Sequence, residues 1–281
     1  MTEQYETIAT SVDGAVATLT LDRPEKLNAI NPQMRADLTA ALEQFEPGAD
    51  VRVVRIRANG RAFSSGFDLD KGLHGGDVVG DTRYAEGSTL GDIRDLRAVG
   101  EWLRAIRRYR KPVVAQVHGM CLAGGMDLMG ACDIVIASDD CRIGNPGARG
   151  LGNPMTLGFM PIRVGAHRAK ELLFTGDTID GAQAERWGLV NTAVPAEELE
   201  EVAAFACRRI SGMPLDMLTI NKMMVNRWID AMGLDAIIDA GIESNAFSHT
   251  TPFYAEFRRR ADSDGLKAAL DWRDAPYRAL D

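Results

Sequence analysis

The sequence lacks the features of several large protein classes. It has four cysteines in 281 residues and no CxxC pair, which excludes a small disulfide scaffold. Its first residues, Met1 to Glu6, are polar and acidic, unlike a secretory signal. No apolar run reaches the length needed to cross a bilayer. These absences favour a reducing compartment, and we expect a cytoplasmic protein without a membrane partner.

Acidic residues outnumber basic ones. The chain has 32 Lys and Arg against 40 Asp and Glu, a formal net charge of −8. An acidic surface does not by itself attract nucleic acid, so no nucleic-acid partner is expected. An anionic ligand would therefore need local basic groups. There are two Arg-rich stretches, 104–111 and 258–260. The first is interpreted as a solvated helix face, and the second is either such a face or a source of basic groups for an anionic ligand.

Common cofactor and catalytic motifs are also missing. The four histidines are scattered, without HExxH or i,i+4 pairing, so no metal site is expected. The spacing of Gly119 and Gly124 is that of a P-loop, but Gly125-Met126 stands where Lys-Ser/Thr is required. No GxGxxG follows a strand, and no GxSxG is present. His118, at a strand end, is interpreted as a structural turn residue.

The chain does carry an alternation of strand and helix patterns, which predicts parallel pairing and an α/β fold. Asp13-Gly14 predicts a hairpin turn, and Asn31 before Pro32 predicts a capped helix start. Residues 70–92 are Gly- and Asp-rich and predict an irregular flap. Strands are predicted over 7–11, 15–21, 51–58, 112–117, 133–137 and 190–194, and helices over 32–45, 93–109, 126–131, 155–164, 166–174, 181–187, 196–211, 214–231 and 234–247.

Two loops combine glycines with a following helix, Gly60 to Leu69 and His118 to Asp127. A helix start leaves N–H groups without intrahelical acceptors, and the helix dipole makes that end attractive to anions. Gly124 and Gly125 have no side chains to block close approach. Two such N–H groups that converge on one point would stabilise an enolate oxyanion, and in a dry site each donor is worth roughly 3 kcal/mol.

These two loops and four further segments resemble the crotonase (enoyl-CoA hydratase/isomerase) superfamily. The resemblance covers nearly the whole chain in order. The further segments are Arg23-Pro24 with Asn28-Ala29, Lys111 to Ala115, Ala131 to Ala137, and Phe174 to Ile179 followed by 182–190.

The resemblance implies repeated ββα units in a spiral fold. It divides the chain into a crotonase-like core over residues 1–195 and a helical region over 196–281 that serves assembly and part of the CoA site. It implies self-association as a homotrimer or hexamer. The ligand would be an acyl-CoA thioester of fatty-acid and lipid metabolism. Because CoA is part of that substrate, no separate cofactor is expected.

The resemblance also assigns site residues. It implies that the N–H groups of Phe67 and Gly124 form an oxyanion hole, and Phe67, Gly124 and Asp127 are the predicted catalytic residues. Phe257 and Arg260 correspond to positions that a neighbouring subunit contributes to CoA. Many relatives have a Lys three residues after the first donor, where this chain has Asp70 followed by Lys71. The predicted substrate-binding residues are Lys26, Asn28, Ser64, Ser65, Gly66, Asp68, Leu69, Gly125, Gly147, Arg149, Phe257 and Arg260.

Proton transfer is the open part of the prediction. Family hydratases use two glutamates, and their positions correspond here to Asp127 and Gly147. Asp127 has two interpretations, a catalytic carboxylate or a residue that stabilises the start of its helix. Arg149 also has two: it binds a second carbonyl of the acyl chain, or it forms a salt bridge, for instance with Asp127.

Three functions are compatible with these residues. The first is an enoyl-CoA hydratase-like lyase that uses Asp127 and an ordered water. The second is an enolate-forming carbon–carbon hydrolase or isomerase that acts on a β-keto acyl-CoA. The third is a CoA-binding protein without this chemistry, such as a scaffold.

Overall fold

The computed structural model describes residues 5–69, 88–153 and 159–279, with only the backbone of Phe159. The described strands are β1 Ile8–Asp13, β2 Val16–Leu21, β3 Val53–Ala58, β4 Ala62–Ser64, β5 Val113–Val117, β6 Met120–Leu122, β7 Ile134–Ser138, β8 Arg142–Gly144, β9 Thr178–Asp180 and β10 Thr192–Val194. The described helices are α1 Pro32–Phe45, α2 Thr89–Arg108, α3 Gly124–Ala131, α4 Phe159–Val164, α5 Ala166–Thr175, α6 Gly181–Trp187, α7 Leu199–Ser211, α8 Leu215–Ala231, α9 Leu234–Ser248, α10 Pro252–Asp264 and α11 Leu266–Arg278.

The larger sheet has six strands in the order β1-β2-β3-β5-β7-β10. β1 and β2 form the predicted antiparallel hairpin, and every later pairing is parallel. Its central strands are buried on both faces, which explains the continuous apolar character of β5. The core on one face includes Leu19, Leu38 and Leu103.

A second sheet of four short strands, in the order β4-β6-β8-β9, lies beside the first. β4, β6 and β8 each follow a strand of the larger sheet and pair in parallel. The chain therefore repeats a ββα unit, as β3-β4-α2 and again as β5-β6-α3. The mixed α/β fold with repeated units is confirmed, although the short strands were not predicted individually.

Local signals explain the confirmed elements, and tertiary contacts explain the differences. Asn31 caps α1, since its Oδ1 accepts the N–H of Met34 at 2.8 Å. Of the predicted flap, residues 70–87 lie outside the described residues. The prediction is wrong for its last residues, because α2 already begins at Thr89.

The Arg-rich segment 104–111, at the end of α2, contradicts the prediction of a solvated helix face. Arg104, Arg107 and Lys111 are buried, not solvated. Arg104 is 6% exposed because it pairs with Glu101 of its own helix and with Asp235 and Asp239 of α9. Buried charge is retained here because each group has a charged or carbonyl partner. These contacts fix α9 against α2, and α9 carries part of the site described below.

The helical C-terminal region is present, and its first helix belongs to the core of the main sheet. α7 packs Leu199, Ala203 and Cys207 against Val53 and Val114. The packing is therefore continuous across the predicted boundary at residue 195. α10 packs on α11, where Phe257 and Ala269 are buried together with Leu151. No helix in the described ranges is both long and apolar enough to cross a membrane.

All four cysteines are buried free thiols. Burial raises the pKa of Cys132 and Cys141 to about 12. A thiol with so high a pKa is a poor nucleophile at neutral pH, so these residues act as small core side chains.

Candidate active site

The site is built around the turn from β6 into α3. Ala123 has φ of 47° and ψ of −116°, a conformation that residues with a Cβ rarely adopt. The N–H of Ala123 donates to the carbonyl of Gly144 at 2.9 Å and so fastens the turn to β8. Gly124 is the first residue of α3, and its N–H has no intrahelical acceptor. The strained turn thus leaves one N–H available at a helix start.

The loop after β4 meets this turn. Gly66 has φ of 108°, and a Cβ there would lie 3.0 Å from the Cβ of Ala123 and 3.1 Å from the carbonyl oxygen of Leu122. The ring of Phe67 packs on Gly124, where a Cβ would lie 2.7 Å from ring carbons. Glycine is therefore required at both positions. The two loops predicted to converge are in direct contact.

The backbone on either side of Phe67 is fixed by Ile30. The N–H of Ile30 donates to the carbonyl of Gly66 at 2.8 Å, and the N–H of Asp68 donates to the carbonyl of Ile30 at 2.9 Å. This bridge uses the groups that flank Phe67 and leaves the N–H of Phe67 itself outside the pairing. Within the part of the chain that the structure describes, neither the N–H of Phe67 nor the N–H of Gly124 donates to a backbone carbonyl.

A cavity of about 460 Å³ opens at this junction. It receives residues from both loops, from α2 and α9, from the 145–153 loop and from α11. The lining residues are Lys26, Leu27, Ala29, Ser65, Phe67, Asp68, Leu69, Leu96, Met120, Leu122, Ala123, Gly124, Asp127, Asn145, Pro146, Gly147, Leu151, Gly152, Asn153, Asn245, His249, Leu266, Leu270 and Arg273.

Asp127 and Gly147, the two positions predicted to correspond to the glutamates of family hydratases, both lie at the cavity. Asp127 is 2% exposed, lines the cavity and lies in the first turn of α3. Gly147 lies in a 3-10 turn, Pro146–Arg149, and also lines the cavity. A Cβ at Gly147 would lie 2.9 Å from Oδ1 of Asn145, so an amide occupies the space beside this position. Of these two positions, only Asp127 has a carboxylate.

Eight of the predicted site residues line the cavity together: Lys26, Ser65, Phe67, Asp68, Leu69, Gly124, Asp127 and Gly147. Asp68 forms an ion pair with Arg23 at 2.9 Å. This pair joins the 64–69 loop to the Arg23-Pro24 segment that carries part of the family resemblance.

Four other predicted site residues do not line the cavity but pack behind the residues that do. Asn28 is fully buried, and Ser64 Oγ donates to its carbonyl at 2.8 Å. The Asn28 side chain accepts the N–H of Arg23 and donates to the carbonyls of Asn59 and Ala62, each at 2.8 Å. Gly125 packs on Ser64, and Gly66 packs on the α3 turn. The predicted contact of the Asn28 and Ser64 side chains with substrate is therefore corrected to a structural role.

Arg149 does not line the cavity. Its guanidinium donates to the carbonyl of Thr175 at 2.7 Å, pairs with Asp177 at 2.6 Å and Asp274 at 3.3 Å, and lies over the ring of Tyr277. The salt-bridge interpretation holds, with Asp177 and Asp274 as partners. The predicted contact with an acyl carbonyl is corrected, because the guanidinium is held between α5, the following turn and α11.

Phe257 is also placed differently from the prediction, whereas the role of Arg260 stays a prediction. Phe257 is 2% exposed, within the α10–α11 pair of its own chain. Arg260 pairs with Glu256 and lies over the ring of Trp272. A buried ring is not available to a neighbouring subunit, so that expectation is wrong for Phe257. The C-terminal helices instead close the cavity of their own chain through Leu266, Leu270 and Arg273.

Sequence reasoning missed Asn245 and His249 of the α9 region, which both line the cavity. A signal was present in the pattern. Ile238 and Ile242 mark the buried face of α9, and Asn245 and His249 continue that face at helical spacing. Polar residues on the buried face of an apolar helix are uncommon and mark a candidate site.

Within residues 5–69, 88–153 and 159–279, no group of three or more His, Cys, Asp or Glu side chains is arranged to hold a metal ion. The cavity lining offers two buried carboxylates, of Asp127 and of Asp68, which pairs with Arg23. It also offers amides and the ionisable side chains of Lys26, His249 and Arg273.

Comparison with known proteins gives the family. The enoyl-CoA hydratase/isomerase family model matches residues 11–252. The chain belongs to the enoyl-CoA hydratase/isomerase family. It is 35% identical to a putative enoyl-CoA hydratase, EchA13, of Mycobacterium tuberculosis, over 97% of this chain and 88% of that protein. It is 30% identical to the probable enoyl-CoA hydratase echA8 of Mycobacterium bovis, over 96% of each chain.

Solved structures of the enoyl-CoA hydratase/isomerase family share this fold. An enoyl-CoA hydratase of Mycobacterium smegmatis superposes with a TM-score of 0.87 at 31% identity, over 96% of this chain and 94% of that one. An enoyl-CoA hydratase/isomerase of Xanthobacter autotrophicus gives the same TM-score and identity, over 97% and 99%. The chain is thus an enzyme of this family with the crotonase fold.

The role of Asn28 gives the first prediction. Asn28→Ala removes the side-chain partner of three backbone groups, of which the Ala62 carbonyl is buried and the Arg23 N–H and Asn59 carbonyl are partly buried. It also places alanine, which has no polar side chain, at φ of 52°. We expect it to lower the free energy of unfolding by about 3 kcal/mol, measured by urea denaturation. Asn28→Gly is the control, since it relieves the backbone strain but not the lost hydrogen bonds. Unchanged stability combined with weaker acyl-CoA binding would restore the substrate role of Asn28.

Proposed function

We propose that this enzyme binds an acyl-CoA thioester and holds the thioester oxygen between the N–H groups of Phe67 and Gly124. One observation carries the proposal. The Ala123 turn presents the Gly124 N–H at a helix start, in contact with Phe67, at the wall of a 460 Å³ cavity. When a thioester becomes an enolate, negative charge develops on its oxygen, and fixed donors stabilise that charge more than the neutral ground state.

The cavity lining is consistent with a thioester that has both a polar and an aliphatic part. Lys26 adds a cation beside the 64–69 loop, where the adenine-phosphate arm of CoA lies in the proposal. Leu266 and Leu270 of α11 offer apolar surface to the pantetheine chain. Asp70 and Lys71, the other candidate phosphate contacts, lie outside the described residues.

For the reaction, we favour hydration of an enoyl-CoA. Family hydratases use two glutamates, and in this proposal Asp127 alone takes the place of both. In this scheme the water oxygen bonds to C3 while Asp127 accepts its proton. The electrons of the C2–C3 double bond move to the thioester oxygen, which the two N–H groups stabilise. Protonated Asp127 then returns the proton to C2. One carboxylate thus serves as base and then as acid, and the elements of water are added without another proton donor.

A second candidate is favoured by the Gly147 position. A carbon–carbon hydrolase of β-keto acyl-CoA forms the same enolate by bond cleavage. It needs an activated water but no second glutamate beside Asp127. The amide of Asn145 beside Gly147 suits a carbonyl or a water, because an amide both donates and accepts hydrogen bonds.

Asp127→Asn tests the carboxylate. With the wild-type substrate found from a panel of enoyl- and β-keto acyl-CoA thioesters, we expect kcat to fall by about 100-fold or more, because an amide does not accept the proton of water. Binding of the substrate is expected to remain. Product mass distinguishes the two candidates, since hydration adds one water and cleavage gives two fragments.

The control is Asp139→Asn, a change of the same kind at a partly buried aspartate that does not line the cavity. It should leave kcat unchanged. Full activity of Asp127→Asn would contradict the role of Asp127 and favour its interpretation as a helix-start residue. If no thioester binds in calorimetry, the whole proposal is wrong.

We also propose self-association, as a trimer or a dimer of trimers, through α8. Met217, Ile220, Met224 and Trp228 lie at helical spacing on this helix and are 46–64% exposed. A contiguous apolar stripe of this size on a charged protein is typical of an interface. A second copy of the chain is the partner that the family resemblance implies.

The double variant Met224→Glu, Trp228→Glu tests this interface. We expect the mass measured by light scattering to fall to that of a single chain, about 31 kDa, because two buried charges would oppose association. Ser11→Glu, at an exposed site on β1, should keep the wild-type mass. A single-chain mass already in the wild type would contradict the proposal.

A further inference from the structure

The buried face of α9 changes from apolar to polar where it reaches the cavity. Leu234, Ile238 and Ile242 are at most 2% exposed and pack in the core. Asn245 follows on the same face, is 7% exposed and lines the cavity. A pocket for a purely aliphatic chain gains nothing from an amide at this position, because a buried amide that lacks a partner is costly.

The contacts of Asn245 fix which way its amide is turned. Its Oδ1 accepts the N–H of Asn153 at 3.1 Å. The same oxygen lies 2.0 Å from where a Cβ of Gly152 would be, so the loop approaches it as closely as a glycine allows. With the oxygen directed to the loop, Nδ2 is the free end of the side chain. Among the described residues, no acceptor is within hydrogen-bond distance of this nitrogen.

The wall around Asn245 is held in place by His249, one turn later. His249 Nδ1 lies 2.6 Å from a carboxylate oxygen of Asp92, and Nε2 lies 3.0 Å from the carbonyl of Leu151. The imidazole therefore ties the 150–153 loop to both α2 and the end of α9. Because both neighbours of the amide are fixed, the Nδ2 donors keep a defined position in the cavity wall.

The remaining surface near this wall is apolar and includes Leu96, Leu122 and Leu151. We infer that the enzyme selects an acyl chain that is mostly aliphatic but carries a carbonyl-type oxygen, as a ketone or carboxylate, which accepts a hydrogen bond from Asn245 Nδ2. This inference rests on the proposed function, since it names the class of thioester that the site takes. Asn245 is a specificity-determining residue in this account, and a plain alkyl chain would leave its donors unpaired.

Calorimetric binding of three thioesters tests the inference without requiring turnover. Hexanoyl-CoA has a plain chain, 5-oxohexanoyl-CoA adds a ketone, and adipoyl-CoA ends in a carboxylate. We expect at least one oxygenated thioester to bind the wild type about 10-fold more tightly than hexanoyl-CoA. The two oxygenated arms distinguish a neutral acceptor from an anionic one.

Asn245→Asp is the informative variant. The carboxylate keeps an oxygen for the Asn153 N–H but removes the Nδ2 donors. We expect the preference for the oxygenated thioester to disappear, with adipoyl-CoA weakened most by charge repulsion. Asn191→Asp, the same change at an exposed asparagine outside the cavity whose Oδ1 likewise accepts a backbone N–H, should retain the wild-type preference. If Asn245→Asp unfolds in a circular dichroism melt, Asn245→Ser, which has a smaller neutral side chain, replaces it and should show a reduced preference.

Failure of this inference differs from failure of the proposed function. If hexanoyl-CoA binds the wild type as tightly as both oxygenated thioesters, the polar-chain inference is overturned while acyl-CoA binding stands. A preference that persists in the Asn245 variants also overturns it. If none of the three thioesters binds, the proposed function is overturned and this inference with it.

Discussion

The strained turn at Ala123 is the constraint on which the site depends. A positive φ at a residue with a side chain costs about 1–3 kcal/mol, and it persists only where surrounding contacts hold it. Here the contacts are the hydrogen bond from Ala123 to Gly144 and the packing of Gly66 and Phe67 against the same turn. The turn leaves the N–H of Gly124 at the start of α3. Without it, α3 and the 64–69 loop would not meet at one point.

The rest of the fold supports this junction from outside. The ββα repeats set β4, β6 and β8 side by side, so that successive turns open on one cavity. The C-terminal helices then close it. α9 is fixed to α2 by the buried charges of Arg104, and α11 brings Leu266 and Leu270 to the cavity wall. The junction of the two loops and the α9 wall of the cavity therefore come from distant parts of the chain.

How far the sequence predicts this arrangement differs from residue to residue. The two glycine-containing loops could be singled out because glycine and a helix start are local signals, and Gly66 and Gly124 make contacts that only glycine permits. The ion-pair partners of Arg149 could not be predicted, since the two carboxylates lie 28 and 125 residues away in sequence. The three-residue strands β4, β6 and β8 are too short for an alternating pattern. Asn245 was visible as a polar residue on an apolar face, but only the folded chain shows that this face reaches the cavity.

The most direct test of the central claim is a crystal structure of the enzyme with a bound, unreactive saturated acyl-CoA. The account predicts the thioester oxygen about 3 Å from both the Phe67 and the Gly124 backbone nitrogens, with the acyl chain directed to the wall formed by α9 and the 145–153 loop. A thioester oxygen that contacts neither nitrogen, while the ligand still occupies the cavity, would contradict it.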